Sequence, residues 1–111
     1  MPRAALLAAL LFLGGFQCSE LLAPAVPVKV CRRESKVGNG EVIRVRNTTD
    51  KVVALWFTSN GKRVDFTLQP HGVKEFGWLE GYTVGENTTC TVGGEGYAAV
   101  SFTKETESPD C

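Results

Sequence analysis

The stretch Val52–Thr58 reads VVALWFT and is followed by Ser59-Asn60-Gly61-Lys62, then by Val64, Phe66 and Leu68 at alternate positions. β-Branched and aromatic residues fit a pleated, half-buried surface, so VVALWFT reads as a strand suited to the middle of a sheet. Asn-Gly between two apolar runs signals a two-residue hairpin, because both residues tolerate the positive φ of a type I′ turn. In the return run Val64, Phe66 and Leu68 share one face, and Asp65 and Thr67 take the other. Trp56 and Phe57 are neighbours and must point to opposite faces of their strand. One of them leaves the core unless something covers the outer face. Phe57 is the candidate interface aromatic, with packing under a loop or the tail as the alternative.

The same rhythm extends outward from this hairpin. Val28–Cys31, Glu41–Arg46 (EVIRVR), Val73–Trp78, Tyr82–Val84, Thr89–Val92 and Tyr97–Thr103 (YAAVSFT) are short apolar or alternating runs separated by turn residues. Turn signals at this spacing are the pattern of an all-β sandwich or barrel. Within Val73–Trp78, Phe76 and Trp78 lie two apart and are read as sharing a face. No window sustains apolar residues at i, i+3 and i+4, and 12 glycines argue against long helices. The reading is an all-β domain over residues 28–103, a single antiparallel β-sandwich of seven to eight strands. A polar tail, 104–111, ends in Cys111.

Arg3 followed by the apolar run Ala4–Leu13 has the form of a secretory signal peptide. That run is well short of the roughly 20 residues a bilayer-spanning helix needs. The signal is assigned to residues 1–19, with cleavage between 17 and 25, and residues 20–27 form a Pro/Ala-rich lead-in. Gly-Phe-Gln-Cys18 matches a bacterial lipobox poorly, which argues against a lipid anchor at Cys18. No second apolar run follows, so no transmembrane segment is expected. The localisation implied is secreted or periplasmic.

Export would place Cys18, Cys31, Cys90 and Cys111 where disulfides persist. Their spacing excludes C-x-x-C metal or redox motifs, and four cysteines allow three pairings. The pairing favoured here joins Cys31 to Cys90 and Cys18 to Cys111. A mature domain of roughly 90 residues buries too little surface to be indifferent to such staples.

The chain carries 12 basic and 12 acidic residues, but unevenly. Lys29, Arg32, Arg33, Lys36, Arg44 and Arg46 cluster early and are a candidate polyanion patch. Asn47-Thr48-Thr49 and Asn87-Thr88-Thr89 fit the glycosylation sequon, which makes Asn47 and Asn87 candidate acceptors in a eukaryotic setting. The single histidine, His71, sits in a Pro-His-Gly turn, and no nucleophile elbow, zinc motif, phosphate loop or dinucleotide fingerprint occurs. The expectation is therefore a protein that is not an enzyme, with no cofactor and no metal.

Residues 45–84 resemble the β-domain of the von Hippel–Lindau tumour suppressor family. Asn47, Val52, Val53, Trp56, Gly61, Leu68, Pro70 and Gly72 carry the resemblance. It implies an immunoglobulin-like or prealbumin-like sandwich. That family's hydroxyproline pocket uses a Gly-His-x-Trp segment, where this chain has Gly81-Tyr82-Thr83-Val84. Hydroxyproline recognition is therefore not implied, and a shared fold does not confer a function. The leading reading is a small non-catalytic binding protein engaging a protein or peptide partner. A secreted enzyme inhibitor or effector, a small hydrolase and a surface-anchored lipoprotein are the alternatives.

Overall fold

The computed structural model describes residues 23–36, 40–109 and 111. The signal-peptide assignment and Cys18 lie outside these residues. The described chain is built from seven strands: β1 (Val28–Glu34), β2 (Glu41–Asn47), β3 (Val53–Ser59), β4 (Lys62–Leu68), β5 (Val73–Phe76), β6 (Cys90–Gly94) and β7 (Tyr97–Phe102). They form two antiparallel sheets, ordered β1-β2-β5 and β4-β3-β6-β7. The β3–β4 hairpin turns where the sequence places it. Asn60 and Gly61 adopt φ of 53° and 77°, and Ser59 faces Lys62 across the turn.

Period-two burial joins the sheets. Val30, Ile43 and Val45 from one sheet meet Val53, Leu55, Phe57 and Val92 from the other in one apolar cluster. At its centre the Phe57 and Phe76 rings stack across the sheets, with centroids 3.9 Å apart and planes 2° from parallel. Tyr82 stands edge-on to both rings. Offset-stacked and edge-to-face aromatic pairs add about 0.5–1.5 kcal/mol each beyond the area they bury. Phe57 is thus a fully buried core residue, and its candidacy as a surface anchor is withdrawn. Alternation along β3 sends Val53, Leu55 and Phe57 inward, which puts Trp56 outside.

Two further expectations change. Strand β5 stops at Phe76, and Trp78–Glu80 form a single 3-10 turn. Glu80 Oε1 accepts from the Gly77 amide at 2.7 Å, and Gly81 follows with φ of 88°. Trp78 therefore leaves the face of Phe76 and is 48% exposed. Residues 82–84 bury Tyr82 and Val84 but belong to no strand. The chain here crosses the end of the sandwich, held by Tyr82 N–H to Gly77 O (2.9 Å) and Glu41 N–H to Val84 O (3.3 Å).

The favoured cysteine pairing is also corrected. Cys31 is bonded to Cys111, with Cα atoms 5.5 Å apart, and Cys90 is a buried free thiol. Cys31 lies on the outer surface of its sheet beside Arg44, whereas Cys90 points into the core beside Val92. A side chain on the outer surface of one sheet cannot meet one that points into the core behind that sheet. Burial pushes the Cys90 thiol up to about 12, with the Glu107 carboxylate adding to the effect.

Candidate binding face

Four strands present an outer face on which side chains alternate with those of the core. Ala54, Trp56 and Thr58 come from β3, and Arg63, Asp65 and Thr67 from β4. Trp56 stands opposite Asp65 on one side and Gly93 of β6 on the other. The indole lies across Gly93 so closely that a Cβ there would sit 2.2 Å from Trp56 Cζ2. A side chain at 93 would lift the ring, so glycine at this position is what lets the indole lie flat. Arg63 closes over the other side, with its Cζ 4.9 Å from the ring centroid, and its Nη2 pairs with Asp65 Oδ1 at 3.2 Å. A guanidinium over an indole is held by the ring quadrupole, and its in-plane donors stay available, here to Asp65 Oδ1 from Nε and Nη2. A groove of about 340 Å³ runs beside this shelf, lined by Trp56, Arg63, Asp65, Thr67 and Glu95 among others.

The opposite outer face, on β1-β2-β5, receives the basic cluster, and folding divides it. Arg32 shares the inward face of β1 with Val28 and Val30. Its Nε donates to both Glu107 oxygens at 2.7 and 2.8 Å, Nη1 to Gly85 O at 2.6 Å, and Nη2 to Thr88 O. The Arg32 and Glu107 side chains are only 4% and 3% exposed. Together with Ser108 N–H to Val30 O at 2.8 Å, this clamp binds the polar tail to β1. Arg32 therefore has no part in a surface patch.

Arg33 donates to both Glu75 oxygens at 3.0 and 2.7 Å. Arg44 Nε lies 3.0 Å from Glu75 Oε2 without the angle of a hydrogen bond. The Arg33 guanidinium, by its hydrogen bonds first, holds the Glu75 carboxyl below its ordinary value. Lys36 is exposed at the strand end. Lys29 and Arg46 are direct cross-strand neighbours and, with Arg44, Val73 and the Cys31–Cys111 bridge, line a pocket of about 190 Å³. Three of the six basic residues thus converge.

The two sequons fare differently. Asn47 is fully buried, donating from Nδ2 to Lys51 O (2.6 Å) and Gln69 O (3.0 Å) and accepting at Oδ1 from Thr49 N–H and Oγ1. A satisfied buried amide of this kind fixes two loops at once and leaves no room for a glycan in the folded domain. Asn87 is exposed in the turn closed by Thr88 N–H to Gly85 O.

His71 holds φ of 59°, and its Nε2 lies 2.7 Å from Asp50 Oδ1 on the surface. Among the described residues no three His, Cys, Asp or Glu side chains gather as a metal site. No helix among them is long and apolar enough to cross a membrane.

The sequence left open which of two adjacent aromatics takes the outer face, and the signal that separates them is pairing; Trp56 is there half-buried. Only Trp56 has a glycine beside it on the neighbouring strand. Leu79, 65% exposed next to Trp78, had no signal at all, because a 3-10 turn was not expected there. Comparison with protein-family models, with curated proteins and with solved structures returns no match for this chain.

Proposed function

We propose that this chain is a non-catalytic binding protein of an exported compartment, with a protein or peptide partner engaged at the Trp56 shelf. The observation that carries the reading is the placement of Trp56. A large aromatic lies flat on the outer face of a sheet, over a glycine, with Arg63 stacked on it and a groove alongside. Tryptophan and arginine dominate the energetics of protein interfaces, because they combine large apolar area with a fixed polar edge. Charge on this face is balanced between Arg63 and Asp65, which suits a mixed polar and apolar partner better than a polyanion.

The order of the two sheets, with three strands facing four, agrees with an immunoglobulin-like or prealbumin-like sandwich. The sequence resemblance to the von Hippel–Lindau β-domain points the same way. Both speak only to architecture. The Cys31–Cys111 bridge and the apolar run after Arg3 support a secreted or periplasmic location.

The test is selection of displayed random peptides on the immobilised protein, followed by affinity measurement against Trp56→Ala. Loss of the indole should cost about 2 kcal/mol or more in binding, as for interface anchors generally. Failure to enrich any peptide, or affinities unchanged by Trp56→Ala, would remove the reading.

A further inference from the structure

We propose that the outer edge of β4 is a self-complementary pairing edge, through which two copies of this chain join their four-stranded sheets about a two-fold axis at Val64. The two sheets have four edges between them, and two are covered. The tail lies along β1 through Ser108 N–H to Val30 O. The segment before β1 covers β7, through Val26 N–H to Ala98 O at 3.0 Å and Ala98 N–H to Pro24 O at 2.8 Å. The edge of β5 is four residues long, and its Lys74 is drawn over the Phe76 ring. Strand β4 has seven residues, no proline and an unbroken register against β3, and nothing among the described residues pairs with its far side.

The hairpin dictates which groups that edge offers. In a two-residue hairpin the flanking residues, Ser59 and Lys62, exchange both backbone hydrogen bonds. Alternation then commits Val64, Phe66 and Leu68 to β3 and turns the N–H and C=O groups of Arg63, Asp65 and Thr67 outward. A second β4 running antiparallel pairs these outward residues only in certain registers. A register centred on Arg63 or on Asp65 sets like charges opposite each other, which is destabilising. Centring on Val64 instead places Arg63 opposite Asp65 of the other copy, and Asp65 opposite its Arg63.

Both ion pairs fall on the outer face, since paired residues in a sheet share a face. Arg63 and Asp65 are 58% and 76% exposed and already oriented toward each other within one chain. Lys62, the remaining charge at this edge, is held at the hairpin end by the Glu80 and Gly81 carbonyls, each 3.3 Å away. Charged edge strands ordinarily prevent sheet-to-sheet association. Here the order of the charges favours one specific pairing. The product is a closed two-fold dimer with the two Trp56 shelves on one continuous surface.

Sedimentation velocity on the purified protein over a concentration series tests this. Wild type should show a reversible monomer–dimer equilibrium. Arg63→Asp and Asp65→Arg each set like charges opposite one another twice, and each should weaken association about tenfold or more. The double exchange R63D/D65R restores opposite charges at both positions and should recover the dimer. Near-ultraviolet circular dichroism confirms that each variant keeps the native fold. A protein that remains monomeric throughout, single exchanges without effect, or a double exchange no better than the singles would overturn the proposal.

Discussion

The outer faces of the two sheets make an instructive pair. Both are strand surfaces on which alternate side chains point to solvent, and both carry arginine. On β1-β2-β5 part of the charge is absorbed by the fold: Arg33 and Arg44 share Glu75, while Lys29 and Arg46 stay at the surface beside the disulfide. On β4-β3-β6-β7 the arginine is instead displayed, stacked on an indole that a neighbouring glycine lets lie flat. Net charge along a sequence says little about charge available to a partner. The face of the strand, and what stands opposite in register, decide it.

The largest effect expected from separating these faces comes from the bridge. Cys111→Ser opens a loop with a sequence separation of 80, and chain entropy alone puts the loss at about 4.5 kcal/mol. Urea unfolding of the variant against wild type measures it. That loss acts through the unfolded chain and lowers global stability, while local opening, read by hydrogen exchange, should accelerate first along β1 and the tail that the bridge ties to it.

The shelf responds more gently. Gly93→Ala forces the indole off its neighbour, at a cost of about 1 kcal/mol because the ring can swing into solvent rather than strain the core. In a Trp78→Phe background, Trp56 emission should shift to the red. An unshifted spectrum would mean that the ring does not rest on Gly93.

The smallest effect belongs to Glu75, whose carboxyl Arg33 holds below the ordinary 4.5. A depressed carboxyl contributes stability above the unfolded value, and that contribution is lost as pH falls through the lower folded value. Wild type and Glu75→Gln should therefore differ slightly at neutral pH and converge in acid. A difference that stays constant with pH would show that Glu75 acts there by shape and not by charge.

Much of the architecture was legible because alternation and turn chemistry are local. VVALWFT, the Asn-Gly turn and the Val64-Phe66-Leu68 face each appear in the structure as β3, the hairpin and β4. The segments that misled were those whose partners lie far away in the chain. Trp78 continues the period of Phe76, but Gly77 and Glu80 close a 3-10 turn that ends the strand. Arg32 looked like one more surface cation until residues 85–88 and Glu107, more than fifty positions on, closed around it. Asn47 satisfied a modification motif yet serves as an internal tie for two loops.

By itself the sequence determined the secondary structure class, the position of the central hairpin and the fact that one of Trp56 and Phe57 must face outward. These follow from backbone geometry that repeats every two residues. Which of the two takes the outer face, which cysteine meets Cys31 and which arginines remain at the surface were decided by how the two sheets stack. Those outcomes depend on register between strands distant in the chain, which no local pattern encodes.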